Sequence, residues 1–397
     1  MRKMLVRETA LALAAAVLVA GMLASCSMDV PDRNMPYSPY FKIEKRDGVY
    51  VACGIYEDRI PEDGKIVIPD GVELDDTWDI AYDKSDKRLG ILKSSKVKSI
   101  SVPAGVSSKT FSNIAGWALF VENIDIIYRG NLTDWCEHGY LSGGLYLAKS
   151  IQVDGGRIDP RMLEKITAED IAGAKRIGDC AFYQCEKLTS VEIPDSVTEI
   201  GDLAFYSCGE LATVTIGSNV TKIGKTAFSG CGGLTTVVIP DNVTEIGGSA
   251  FSGSGLTSVT IGNGVKEIGY WVFYECTSLT SVTIGSGVKE IGEYAFFNCW
   301  GLTTVEIPDS VTKIGDRAFH NCGRLMTVTI GKGVKEIRGF AFSDCDNLNT
   351  VTFAEPNDWY SVDSDDKEEL VDFSDPENNV RILSMQKYWY TFVRKTE

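Results

Sequence analysis

The stretch Leu188-Thr189-Ser190-Val191-Glu192-Ile193-Pro194-Asp195-Ser196-Val197-Thr198-Glu199-Ile200-Gly201-Asp202-Leu203-Ala204-Phe205-Tyr206-Ser207-Cys208 decides the fold, because it recurs. Val191 and Ile193 alternate with polar neighbours, the period-2 signature of a strand with one buried face. Pro194-Asp195 ends that strand, since proline cannot donate to a central ladder; other copies use glycine, which tolerates turn dihedrals. Val197 and Ile200 supply a second buried stretch. The Ala-Phe-x-x-Cys segment reads as a compact turn or a one-turn helix that returns the chain to the next strand.

The isoleucine at 200 reappears at 177, 223, 246, 268, 291, 314 and 337, in six spacings of 23 residues and one of 22. The same register carries Phe182, Phe205, Phe228, Phe251, Phe273, Phe296, Phe319 and Phe342. It also carries a leucine at 188, 211, 234, 256, 279, 302, 325 and 348, each followed by valine three residues on. A period of this length indicates stacked repeats. No single unit can bury its own apolar face, whereas parallel stacking at about 4.8 Å buries it and makes eight units about 40 Å long.

The pattern Leu-x-x-Val-x-Ile-Pro-x-x-Val-x-x-Ile-Gly-x-x-Ala-Phe-x-x-Cys resembles the BspA-type leucine-rich repeat of bacterial and protist surface proteins. Over residues 177–353 the resemblance covers eight units of 22–23 residues. It implies a repeat solenoid of the leucine-rich kind, predominantly β, with short turns or one-turn helices on the convex side and irregular caps at both ends. It also implies a surface protein active in adhesion, in binding host matrix proteins, or in contact between bacteria.

Upstream the register is degenerate. Ile66-Val67-Ile68-Pro69-Asp70-Gly71-Val72 and Ile100-Ser101-Val102-Pro103-Ala104-Gly105-Val106 match the strand and turn without the Ala-Phe-x-x-Cys half. Residues 42–176 therefore read as irregular capping coils with two longer insertions. Thr167-Ala168-Glu169-Asp170 could cap a short helix before the first regular unit. Two segments echo each other, Tyr128 to Trp135 and Phe353 to Trp359, and both tryptophans read as plugs over apolar coil ends. Residues 354–397 form a C-terminal cap: 358–377 hold nine acids and one lysine, read as a solvated loop, and Tyr388, Tyr390 and Phe392 alternate like a terminal strand.

Residues 1–25 read as a targeting segment. Arg2, Lys3 and Arg7 precede an uncharged run from Thr9 to Met28 that contains Leu23-Ala24-Ser25-Cys26. This resembles the bacterial lipobox, which implies cleavage after Ser25, diacylglycerol on Cys26 and, with Ser27 next, an outer-membrane destination. An uncleaved transmembrane anchor is the competing reading. Pro31, Pro36 and Pro39 make residues 26–41 an extended tether.

Composition removes several functions. Fifty-five acids against 39 bases leave a net charge of −16, the wrong sign for a nucleic-acid binder. Two histidines, His138 and His320, leave little for metal or nucleophilic chemistry, and neither a Gly-x-Ser-x-Gly elbow nor a zincin helix is present. Neither enzyme activity, metal nor cofactor is expected.

Three features remain as candidate sites. Cys185, Cys208, Cys231, Cys276, Cys299, Cys322 and Cys345 share one repeat position, held by Ser254 in the short unit. They read either as a ladder of buried thiols donating to turn carbonyls or as disulfides between neighbouring coils. The outward strand positions, among them Thr213, Thr215, Thr236, Thr260, Thr283, Thr304, Thr327 and Thr329, make a hydroxyl-rich concave face, either a plain soluble sheet or a surface for weak multivalent contact. Tyr270, Trp271 and Tyr274 in one unit and Tyr294, Phe297 and Trp300 in the next should form a single aromatic patch that either packs on itself or binds a partner. The partner would be a host matrix protein, a bacterial surface protein or a glycan. The competing function is a structural envelope or periplasmic scaffold without a specific ligand.

Overall fold

The computed structural model describes residues 38–39, 41–55, 59–62, 65–70, 72–74, 98–104, 125–138, 150–153, 159–363, 367–384 and 390–395. The targeting segment and Cys26 lie outside the described residues.

From Lys165–Ile166 to Thr350–Phe353, nine short strands stack in parallel, one per coil, in a six-stranded and then a three-stranded sheet. The register repeats without slip: Ser190, Val191 and Glu192 face Thr213, Val214 and Thr215, and Thr304 to Ile307 face Thr327 to Ile330. A second ladder of two-residue strands, Glu199–Ile200 and its equivalents, stacks the repeat isoleucines on one another. Between the ladders lies one apolar core, in which all eight repeat phenylalanines are fully buried. Their rings stack at 5.0–5.5 Å, with planes within 13° of parallel.

The Ala-Phe-x-x-Cys segment is a turn in every regular coil, not a one-turn helix. Each such turn holds two left-handed residues, for example Leu203 at φ 57° and Ser207 at φ 54°. Left-handed residues stop a helix from propagating. They also aim alternate amides at the next coil: Leu203, Phe205 and Ser207 donate to the carbonyls of Lys225, Ala227 and Ser229, each at 2.8 Å. The turn side is therefore hydrogen-bonded from coil to coil, as the strand side is.

Upstream, the capping region is more regular than the sequence suggests. Lys65–Val67, Ser99–Val102, Asp125–Tyr128 and Ser150–Gln152 form a parallel four-stranded sheet that aligns Ile66, Ile100, Ile126 and Ile151, all fully buried. The last two strands escape a motif search because neither carries the Pro-x-Gly turn behind its isoleucines. Thr167 and Asp170 do bond reciprocally, with the Thr167 amide 2.8 Å from the Asp170 carboxylate, but they close a turn and no helix follows.

Both tryptophan plugs are buried, and each meets edge-on the aromatic residue that ends the preceding strand. Trp135 lies 5.8 Å from Tyr128 and donates its indole N–H to the Ala181 carbonyl; Trp359 lies 5.4 Å from Phe353. At the C-terminal end, the fully buried Asn379, in the helix Pro376–Ser384, donates its amide to the carbonyls of Val351 and Phe373. This satisfies an acceptor on the terminal strand that no further coil could reach. The acidic segment is not all loop: Glu368–Val371 is a strand paired with Trp359–Val362. Tyr388 lies outside the described residues, and Phe392 is buried in the strand Thr391–Arg394.

The 22-residue spacing leaves a mark. No backbone hydrogen bond among the described residues joins the strands Glu245–Ile246 and Glu267–Ile268, and the second ladder divides there. Elsewhere Gly201, Gly224, Gly247, Gly292 and Gly315, which follow repeat isoleucines, lie against the coil below, so that a Cβ on Gly224 would sit 2.4 Å from the Gly201 carbonyl carbon; Arg338 takes this position after Ile337. A Cβ on Gly269, just past the break, would find its nearest atom at 3.7 Å. Gly224→Ala should therefore cost about 1–3 kcal/mol through overpacking, and Gly269→Ala less than about 0.5 kcal/mol. Urea midpoints for the two variants check this, and equal losses would contradict it.

Candidate functional site

The aromatic cluster arises from the left-handed turn. In the coil after the break, Val272 and Phe273 point into the core, while Trp271, left-handed at φ 58°, is turned outward and Tyr274 lies half-buried beside it. In the next coil Tyr294 repeats the geometry at φ 55°. Tyr270 stacks on Trp271 at 4.4 Å and meets Tyr294 edge-on at 6.1 Å, while Tyr274 stacks on Phe297 at 5.2 Å. Trp271 and Tyr294 meet edge-on at 6.2 Å, and Tyr294 meets Phe297 at 5.4 Å.

Five of the six expected residues thus come together, and Trp300 does not join them. It stands 56% exposed after Cys299 with no ring partner among the described residues, because its repeat position lies past the cysteine, on a different part of the turn. Stacking takes one face each of Tyr270, Trp271, Tyr274 and Phe297, while Tyr270 and Trp271 keep 45% and 36% of their surface exposed. Burial among the rings, and then the Glu293 carboxylate, raise the Tyr270 phenol above its ordinary range; burial and then Glu275 do the same for Tyr274. Both phenols stay neutral donors.

Two residues that the sequence did not single out extend this surface. His320 occupies the repeat position of Tyr274 and Phe297 and continues their stack, 5.1 Å from Phe297. Its Nε2 lies 3.3 Å from an Asp344 carboxylate oxygen, yet burial holds the imidazole below its usual value despite Asp344. Arg317 occupies the position of Trp271 and Tyr294. It lies over the rings of Tyr294 and Phe340 and donates to the Tyr294 hydroxyl at 3.0 Å. Aligning the repeats by position, rather than searching for aromatics, would have found both.

On the strand face, Thr213, Thr215, Thr236, Thr260, Thr283, Thr304 and Thr329 are exposed and Thr327 is half-buried. Val238, 64% exposed, interrupts the hydroxyl rows. Tight interfaces usually depend on aromatic or arginine anchors, and the outward positions of these strands supply neither.

The cysteines at the shared position are free and buried. Each thiol reaches back one coil: Cys208 to the Phe182 carbonyl at 3.1 Å, Cys231 to Phe205 at 3.2 Å, Cys299 to Phe273 at 3.2 Å and Cys345 to Phe319 at 3.2 Å. In the short unit the Ser254 hydroxyl lies 3.3 Å from the Cys276 sulfur. Burial pushes Cys208 up to about 12 and Cys276 up to about 11, so neither supplies a thiolate near neutrality.

The family description "BspA type Leucine rich repeat region" matches residues 161–280 and 266–364 in six copies, spanning 204 of the 397 residues. Similar solved structures include a leucine-rich repeat protein from Bacteroides ovatus, 22% identical, covering 79% of this chain and 93% of that one, with a TM-score of 0.41. Another, from Eubacterium ventriosum, is 19% identical over 72% of this chain and 92% of its own, with a TM-score of 0.43. A leucine rich cell surface protein from Faecalibacterium prausnitzii is 21% identical over 82% and 96%, with a TM-score of 0.36. Among curated proteins, none matches the chain.

The thiol ladder makes a measurable claim. The native protein should resist a thiol reagent at these positions, and at least nine thiols should react after denaturation without reductant, matching the nine free cysteines described. A lower count would mean disulfides. Cys299→Ser keeps a second donor for the Phe273 carbonyl, whereas Cys299→Val leaves it with the Cys276 amide alone, 3.3 Å away, and should cost about 0.5–1.5 kcal/mol.

Proposed function

Because the chain belongs to the BspA-type leucine-rich repeat family, we propose that it is a bacterial envelope lipoprotein whose solenoid binds a protein partner at the cell surface. The observation that carries this reading is the aromatic surface beside the short coil, where Tyr270, Trp271 and Trp300 are 45%, 36% and 56% exposed. A soluble domain that leaves two tryptophans and a tyrosine in water on neighbouring coils has the residue types that dominate protein interfaces. Edge-on tyrosines bordered by Glu275, Glu293 and Arg317 suit a mixed polar and apolar protein surface. They suit a sugar ring less well, because a pyranose packs against ring faces and stacking already takes one face of Tyr270, Trp271, Tyr274 and Phe297.

In this reading Trp300, whose ring faces are free, is the anchor, and the packed five are a rigid platform beside it. The hydroxyl-rich strand face adds area rather than affinity. Cys26 carries diacylglycerol, the segment to residue 41 spaces the solenoid from the membrane, and no step of the function is catalytic.

Two measurements test the proposal. Cells grown with labelled palmitate should label the protein, and Cys26→Ala should abolish the label; unlabelled wild-type protein would remove the lipid anchor. Binding of residues 42–397 to a panel of immobilised matrix and envelope proteins should fall about tenfold or more in Trp300→Ala combined with Tyr270→Ala, with the thermal midpoint unchanged. A partner bound equally well by the double variant, or no partner on intact cells that display the protein, favours the scaffold function instead.

A further inference from the structure

The C-terminal cap ends in an open sheet edge. Among the described residues Glu368–Val371 is the last strand of its seven-stranded sheet and pairs only with Trp359–Val362, which pairs on its other side with Thr391–Arg394. The register and one turn bond settle which main-chain groups face outward. The Asp363 amide donates to the Lys367 carbonyl at 3.1 Å, and the pairs Ser361 with Glu369 and Trp359 with Val371 follow at two-residue intervals. Hydrogen-bonded pairs alternate along an antiparallel ladder, so these pairs exchange the inward bonds. The Lys395 amide bonded to the Asp358 carbonyl at 3.0 Å sets the opposite parity on the far side of Trp359–Val362, which agrees.

It follows that the N–H and C=O groups of Glu368 and Leu370 point away from the hairpin. No backbone bond among the described residues meets them there. Leu370 is 71% exposed, above every other exposed large apolar residue of the described chain. Natural sheet edges are normally short, covered or charged because such a row of donors and acceptors is a template for another strand. The solenoid's own terminal strand is covered in that way, by the helix Pro376–Ser384.

Charge selects among occupants. Residues 358–377 hold nine acids and one lysine. Lys395 pairs with Glu368, whereas Glu369 has no ion-pair partner among the described residues. A second copy of this chain would set Glu368 and Glu369 against the same acids, and like charges directly opposite destabilise a strand pair. We propose that the Glu368–Val371 edge receives an extended, lysine- or arginine-bearing segment of another protein as an added strand. Main-chain bonds from Glu368 and Leu370 would hold it; an apolar side chain would cover Leu370, and a basic one two residues away would meet Glu368. This surface is separate from the aromatic cluster, so each reading stands without the other.

The test uses the mature full chain and a fluorescent octapeptide of repeating Lys-Thr-Val-Thr, which sets a lysine and a valine two residues apart on one face, followed by anisotropy at about 0.15 M salt. Saturable binding is expected, with amide protection at Glu368 and Leu370 on hydrogen exchange. N-methylating the alternate peptide amides that face the edge should weaken binding about tenfold or more. Leu370→Pro should do the same, since it removes an outward amide together with the side chain the peptide would cover, and circular dichroism checks the fold. The methylated peptide leaves the protein untouched, so a folding defect cannot produce its result. Equal binding of methylated and unmethylated peptides would reduce the attraction to charge alone and overturn the proposal. So would absence of binding, or sedimentation showing that the chain occupies its own edge as a dimer.

Discussion

Every feature of this molecule depends on one constraint: a coil of 22 or 23 residues cannot bury its own apolar face, so each must be closed by the next. The closure works because several separate interactions accept nearly the same spacing. Parallel strands lie about 4.8 Å apart, and the repeat phenylalanines stack at 5.0–5.5 Å. Between those two layers, a thiol reaches the phenylalanine carbonyl one coil back, and alternate turn amides reach the carbonyls one coil forward. The glycines after most of the repeat isoleucines serve the same spacing, since a Cβ on Gly224 or Gly247 would press on the backbone one coil back, although Arg338 takes that place in the last unit and keeps its bond to Ile314. The widest phenylalanine spacing, 5.5 Å, falls between Phe251 and Phe273, where one residue is missing.

A solenoid built in this way hides what its coils share and displays what varies. The left-handed turn residues place variable side chains on the outside at fixed intervals, so neighbouring coils assemble a surface without any long-range device. Trp271, Tyr294, Arg317 and Phe340 are one such row; Tyr274, Phe297 and His320 are another. The aromatic cluster lies beside the broken ladder, where the shared pattern is weakest. The ends need separate solutions, because their strands have no next coil. Buried tryptophans, Asn379 and the C-terminal hairpin supply them, and the hairpin in turn leaves an edge of its own.

Much of this was legible from residues alone. The 23-residue period, the buried phenylalanine and leucine rows, the single short unit, the tryptophan plugs and the cysteine position all follow from apolar residues recurring where only stacking could bury them. The turn read as a possible one-turn helix because Ala-Phe-x-x-Cys has no signature of left-handed dihedrals; Leu, Thr, Trp and Arg all occupy those sites. The strands at Asp125–Tyr128 and Ser150–Gln152 were not recognised because their turns lack the repeat's proline and glycine, and only their neighbours reveal them.

By itself, the sequence determined the architecture, since a pattern repeated eight times states its own burial requirement. The tertiary structure decided what each exposed residue is for. Whether six aromatics form one patch or five with a sixth apart depends on turn dihedrals that the letters do not encode. Whether a thiol pairs or donates depends on the carbonyl the previous coil brings to it. Which strand is left open depends on how the cap folds back onto the coil beneath it. These are relations between segments, set by the distance between coils and the direction of each main-chain group, and they exist only once the chain has stacked on itself.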